Sequence, residues 1–238
     1  MHIKICGLTN LDDTLAAIDA GADYLGFNFY PKSPRFITPE DCARIVAAIV
    51  TPHSSHVTRV GVFVDESPAQ IAAILDNCGL NLAQLHGDEP PEHLTVLWGR
   101  AYKAFRGTAD GARYSAFTKI GCGAPALLID AHRPSAYGGT GTLADWTAAQ
   151  AVAAKYPILL AGGLTPDNVA GAIAQVKPWG VDVASGVEAA PGRKDQLKMR
   201  AFVQAVQAGA QTCRGDAAAS LPRRSPAPVL TDSHSEPL

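Results

Sequence analysis

The sequence predicts an α/β fold, a single-domain (β/α)8 TIM barrel. Two observations carry that expectation. Eight short β-rich runs alternate with Ala-rich helical windows from residue 2 to residue 208, the pattern of a parallel sheet built from βα units. The chemically versatile residues of that stretch also gather where the runs end, which is where barrels of this class place their active sites.

Taken in order, the strand runs fall at 2–6, 24–29, 59–64, 82–85, 102–105, 126–130, 158–161 and 181–184. The helical windows between and after them are 11–20, 39–50, 68–78, 91–98, 112–119, 143–155, 166–175 and 195–208. Thr38-Pro39, Ser67-Pro68 and Thr165-Pro166 each supply a capping residue followed by proline in the first turn. The fifth window has the most diluted pattern, because Gly111 and Ser115 interrupt it. Periodicity alone does not distinguish a closed barrel from a doubly wound sheet. A dinucleotide-binding sheet would carry G-x-G-x-x-G after its first strand, whereas this one ends in Cys6-Gly7-Leu8-Thr9.

The chain has 238 residues, 47% of them hydrophobic and 18% charged, which suffices for a large core and excludes wholesale disorder. Twenty basic against 22 acidic side chains leave a net charge of −2, with no basic footprint for nucleic acid. No apolar run is long enough to span a membrane, and the first residues do not read as a signal peptide. The expectation is a soluble, cytoplasmic protein. The five cysteines, Cys6, Cys42, Cys78, Cys122 and Cys213, form no C-x-x-C pair and no cluster with histidine, so neither a metal site nor a disulfide framework is expected. Past Ala210 the composition turns to Pro, Ser, Ala and charge. The domain is therefore expected over 1–210, with 211–238 a disordered extension.

Polar residues expected at the mouth are Cys6, Asn28, Asp65, Gln84, His86, Arg106 and Asp130, with the pairs Gly162-Gly163 and Ser185-Gly186. Glycines after the seventh and eighth strands let backbone N–H groups approach an anion, and phosphate sites of this fold lie at those loops. The same glycines also suit tight turns that bind nothing. Gly138, Gly139 and Gly141 stand in a long segment after the sixth strand, expected to touch substrate as a closing flap or a third wall of the phosphate site; the bland alternative is a plain surface excursion. Cys6 ends the first strand and Asp130 the sixth, across the mouth from one another. A thiolate base opposite a carboxylic acid suits isomerisation by proton transfer. Alone, Cys6 reads equally as a core thiol, and Asp130 as a turn cap.

Several segments, taken together and in order, resemble the phosphoribosylanthranilate isomerase family. They are Lys4-Ile5-Cys6-Gly7-Leu8-Thr9, Ser33-Pro34-Arg35, Gln84-Leu85-His86-Gly87, Leu128-Ile129-Asp130, Tyr137-Gly138-Gly139-Thr140-Gly141, Ala161-Gly162-Gly163-Leu164 and 182–188. The resemblance covers about residues 1–208; Ala184 departs from it where the pattern has Ser. It implies a cofactor-free barrel enzyme of tryptophan biosynthesis, monomeric or homodimeric, acting on a small phosphorylated substrate by an Amadori rearrangement. It implies Asp130 as general acid, Cys6 as general base and Arg35 as holder of the anthranilate carboxylate. Gln84, His86 and Lys103 are implied as further substrate contacts. The Amadori enzyme of histidine biosynthesis places an aspartate where this chain has Cys6, so the thiol separates the two. A non-catalytic phosphate-binding barrel would have no use for both Cys6 and Asp130.

Overall fold

The structure, a computed structural model, describes residues 1–49, 56–106, 124–131 and 146–219, with side chains to residue 212. Its strands are β1 (His2–Cys6), β2 (Tyr24–Asn28), β3 (Thr58–Phe63), β4 (Leu82–Leu85), β5 (Ala101–Arg106), β6 (Leu127–Asp130), β7 (Ile158–Ala161) and β8 (Gly180–Val183). All eight pair in parallel with their sequence neighbours, and β8 pairs back onto β1 to close the barrel. The expected barrel is therefore the observed fold, and the open doubly wound sheet is excluded.

The helices are α1 (Leu11–Ala20), α2 (Pro39–Ile49), α3 (Pro68–Cys78), α4 (Glu92–Val96), α5 (Trp146–Ala153), α6 (Val169–Val176) and α7 (Gln196–Ala219). Ser67 caps α3 by accepting from the Gln70 N–H, with Pro68 in the first turn, as its sequence suggests. Thr38 accepts from the Asp41 N–H at the start of α2 in the same way. The window expected to begin at Pro166 becomes helical only at Val169, because Asn168 turns its side chain back to accept from the Thr165 N–H. The helix expected at 112–119 lies outside the described residues. The last helix does not stop at 208 but continues to Ala219, so residues 211–219 of the expected extension are helical. Residues 220–238 lie outside the described residues. A small antiparallel pair, β9 (Glu188–Ala190) with β10 (Arg193–Lys194), follows β8 and was not anticipated.

Strand side chains alternate between two cores. Ile3, Ile5, Leu25, Phe27, Phe63, Leu85, Ile129, Leu160 and Val181 face the helices. Tyr24, Val60, Leu82, Tyr102, Ala104, Leu128, Leu159 and Ala161 fill the barrel interior. The same alternation places Lys4, Cys6, Gln84, Asp130 and Asp182 inside and Lys103 outside. Lys103 thus turns away from the barrel interior: its Nζ donates to Glu89 Oε2 at 2.9 Å and to the carbonyls of Leu85, Gly87 and Ala104. Glu89 in turn accepts from the Asp65 and Gly87 N–H groups, which ties the loops after β3 and β4 together.

Candidate active site

A cavity of about 330 Å³ opens at the C-terminal ends of the strands. Cys6, Arg35, Gln84, His86, Asp130, Gly162, Gly163 and Ser185 all line it, so eight of the expected site residues converge there. Asn28, also expected at the mouth, lines it too, as do Asp182 and Ala184. Cys6 and Asp130 stand on strands separated by β7 and β8 along the shorter arc. A second opening of about 520 Å³ lies beside it, bounded by Asp65, His86, Phe105 and Arg106, and shares His86 with the first. Gly138, Gly139 and Gly141 lie outside the described residues.

Cys6 sits at the last position of β1, with Gly26 as its partner on β2. A Cβ on Gly26 would lie 2.7 Å from Cys6 Sγ, so the bare glycine leaves the thiol its place. Burial pushes the Cys6 thiol above its ordinary value; Lys4 opposes the shift and Asp182 adds to it.

Beneath the thiol lies a buried polar cluster. Lys4 Nζ donates to Gln84 Oε1 and to Asp182 Oδ1, each at 2.9 Å, and Tyr102 Oη donates to the same Gln84 oxygen at 3.0 Å. Burial works against the Lys4 charge, yet Asp182, Cys6 and Tyr102 together hold the ammonium above its ordinary value. With Gln84 Oε1 occupied by two donors, its amide N–H₂ faces His86 Nδ1 at 3.3 Å. Nδ1 is therefore the acceptor of the ring and Nε2 carries the proton. That Nε2 is buried and has no hydrogen-bond partner among the described residues. Burial depresses the His86 pKa, Asp130 opposes the shift, and Arg106 reinforces it, so the ring stays neutral to lower pH than an ordinary imidazole.

Arg35, on the loop after β2, is not left to solvent. Its Nε and Nη2 donate to the two carboxylate oxygens of Glu188, each at 2.7 Å. Glu188 also accepts from Lys194 Nζ at 2.9 Å. Burial raises the Glu188 carboxyl, but hydrogen bonds from Arg35 and Lys194 outweigh it and hold the group below its ordinary value. Two N–H groups on Nη1 and one on Nη2 remain for a second carboxylate.

The loop after β7 takes Gly162 and Gly163 through left-handed backbone, with φ of 99° and 65°. Gly186 does not line the cavity. A Cβ there would collide with the carbonyl of Leu164, so this glycine lets the loops after β7 and β8 pack against each other.

Sequence reasoning gave no role to Lys4, Asp182, Tyr102, Glu188 or Lys194. For Lys4 and Asp182 a signal existed: each stands two residues before a mouth position of its strand, so strand parity puts both charges inside.

A closed eight-stranded barrel that collects a thiol, a carboxylate, an arginine and a glycine pair in one mouth cavity is built as a (β/α)8-barrel enzyme. The family model for N-(5'phosphoribosyl)anthranilate (PRA) isomerase matches residues 3–205. The chain belongs to the phosphoribosylanthranilate isomerase family. It is 46% identical over 208 residues to the N-(5'-phosphoribosyl)anthranilate isomerase of Geobacter sulfurreducens, covering 86% of this chain and 97% of that protein. To that of Pelobacter propionicus it is 48% identical over 204 residues, covering 86% and 94%. The crystal structure of phosphoribosyl anthranilate isomerase from Thermotoga maritima superposes with a TM-score of 0.75 at 39% identity, covering 87% of this chain and 99% of that one. A structure of the enzyme in complex with reduced 1-(o-carboxyphenylamino)-1-deoxyribulose 5-phosphate matches with a TM-score of 0.73 at 37% identity, over 87% and 99% of the two chains. Among the described residues, no helix is long and apolar enough to cross a membrane, and no group of three or more His, Cys, Asp or Glu is placed to hold a metal ion.

Proposed function

We propose that this isomerase converts N-(5'-phosphoribosyl)anthranilate to 1-(2-carboxyphenylamino)-1-deoxyribulose 5-phosphate in tryptophan biosynthesis, with Asp130 as general acid and Cys6 as general base. The observation that carries the reading is that Cys6 and Asp130 enter one 330 Å³ cavity from well-separated strands, with the loops after β7 and β8 forming a further wall. The setting is the cytoplasm, and the reaction is an internal redox exchange between two carbons of the sugar, which calls for no external oxidant.

Asp130 gives its proton to the ribose ring oxygen, the C1′–O bond breaks, and the anthranilate nitrogen takes up the charge as an iminium. The Cys6 thiolate then removes the C2′ proton, and the electron pair moves into a C1′–C2′ double bond, giving the enolamine. Ketonisation follows as C1′ takes a proton and O2′ releases one, which restores the carboxylic acid and the thiolate overall. No atom is gained or lost. The 5′-phosphate rests against Gly162, Gly163, Ser185 and the turn at Gly186, where backbone N–H groups are available. The anthranilate carboxylate takes the outer edge of the Arg35 guanidinium, the edge that Glu188 leaves open. The neutral His86 offers its Nε2 proton to a substrate oxygen, oriented through Gln84.

The test is turnover of freshly prepared phosphoribosylanthranilate, followed by loss of its fluorescence. Decay that saturates with substrate supports the proposal. A folded protein that leaves the fluorescence at its uncatalysed rate of decay overturns it.

A further inference from the structure

The β9–β10 pair is held by three neighbouring elements. Thr9 Oγ1, in the loop after β1, donates to the Gly192 carbonyl at 2.7 Å. The Lys194 N–H donates to Asp13 Oδ2 on α1 at 2.8 Å, and Lys198 Nζ on α7 donates to the Glu188 carbonyl at 2.9 Å. Inside this frame the Lys194 side chain has no exposed surface. Its Nζ donates to Glu188 Oε1 at 2.9 Å and to the Ala184 carbonyl at 3.1 Å. Glu188 is the carboxylate that takes Arg35 Nε and Nη2. One buried ammonium therefore joins the backbone after β8 to the group that grips Arg35. Arg35, Ala184 and Ser185 all line the same cavity. An apolar side chain would fill the space without the desolvation cost of a buried charge, but would leave Glu188 and the Ala184 carbonyl unconnected.

We infer that Lys194 is a positioning residue that sets the span between two anion subsites, the Arg35 guanidinium and the loops after β7 and β8. The ligand it selects carries a carboxylate and a phosphate at a fixed separation. The inference rests on the proposed assignment of those two subsites. Each subsite has supports of its own. The Arg35 N–H donates to Ser33 Oγ, and its side chain lies over Gly7, where a Cβ would collide with Arg35 Cδ. The loop after β8 packs against the loop after β7 through Gly186, and the Glu188 N–H returns to the Ser185 carbonyl. That backbone contact brings Glu188 near the phosphate loop, but its side chain is what holds Arg35. Lys194 fixes that side chain against the Ala184 carbonyl. A ligand that reaches one subsite does not sense the span. A ligand that reaches both gains from making its second contact intramolecular, and the gain falls once the spacing drifts.

The experiment measures Kd by calorimetry for three probes. Reduced 1-(o-carboxyphenylamino)-1-deoxyribulose 5-phosphate carries both anions. Its phenylamino counterpart lacks the carboxylate, and inorganic phosphate is the anion alone. Lys194→Met is expected to weaken the first probe by about tenfold, as misplacement of a binding group does. The other two should stay within about twofold of wild type, because neither reaches Arg35. In an Arg35→Ala background, Lys194→Met should cost the first probe nothing further, since both residues act on one contact. Should Lys194→Met not fold, Lys194→Met/Glu188→Gln removes both charges of the pair, and the same selective weakening is expected. Equal weakening of all three probes in folded variants overturns the inference, because it signals a loosened rim alone. Unchanged affinity for the first probe overturns it too, as does a full further loss in the Arg35→Ala background. A failed subsite reading looks different: Arg35→Ala itself then weakens both organic probes alike, and the inference falls with it.

Discussion

Arg35 and Glu188 meet through two parallel N–H···O contacts of 2.7 Å, linking the loop after β2 to the first residue of β9 over the end of β1. The pairing fixes the plane of the guanidinium, and Arg35 still lines the cavity. Arg35→Ala should therefore act on binding. Loss of charge-assisted hydrogen bonds worth about 1.5–3 kcal/mol corresponds to a KM increase of roughly tenfold to a hundredfold. Turnover at saturation should change little, and Glu188→Gln should raise KM by less, since Arg35 remains but is held less firmly. Steady-state kinetics decides: a collapsed kcat with KM unchanged would remove Arg35 from the carboxylate site.

Asp130→Asn keeps the shape of the side chain and removes the proton assigned to it in the proposed mechanism. A fall in kcat of ~10²–10⁴-fold is expected, the usual contribution of a general acid. A folded variant with near wild-type turnover would reduce Asp130 to a turn residue at the end of β6.

The pH profile tests Cys6. A base works unprotonated, and the Cys6 thiol lies above its ordinary 9.0, chiefly through burial. The kcat/KM of the free enzyme should therefore climb with pH through neutrality and into the range of an ordinary thiol without levelling first. Cys6→Ser should lose most activity at matched circular dichroism and melting temperature, because a hydroxyl is too weak a base. Cys6→Asp should recover part of the rate and lose the alkaline limb, since a carboxylate titrates near 4. A well-folded Ser variant that turns over normally would sink the mechanism.

Gly163→Asp tests the anion site. At φ 65° an aspartate is tolerated better than most side chains, so the loop should keep its path. Its carboxylate would stand beside the phosphate, and inhibition by inorganic phosphate should disappear together with tight substrate binding. Unchanged inhibition in the folded variant would put the anion elsewhere.

The barrel was legible because its strands are short apolar runs bounded by turn residues, and all eight were found. Ends were less legible. The last helix was expected to end near residue 208, yet it runs on through a mixed stretch that includes Gly215 and Asp216 and ends in three alanines at Ala219. The β9–β10 pair escaped notice because two strands of three and two residues carry no periodic signal. At the site, the residues that line the cavity were visible as strand-end polar groups, whereas their supports were not. Lys103 was grouped with the substrate contacts, although its position between inward Tyr102 and Ala104 on β5 turns it to the outer face. Glu188 meets Arg35 only through tertiary structure, across 153 residues, and Lys194 joins them by donating to Glu188. Gly186, expected to bind phosphate, follows the wall residue Ser185 and has a packing task besides, since its missing side chain lets the loops after β7 and β8 approach.

The Lys4–Asp182 contact spans 178 residues and joins the first strand to the last. During synthesis, β1 leaves the ribosome carrying an ammonium whose counter-charge has not yet been made. Any partial barrel that buries Lys4 before β8 arrives must bury it uncompensated, which is strongly unfavourable. Truncated or prematurely collapsed chains are thereby disfavoured over the finished ring, and the same pair of charges that underlies the mouth acts as a check that the chain is complete.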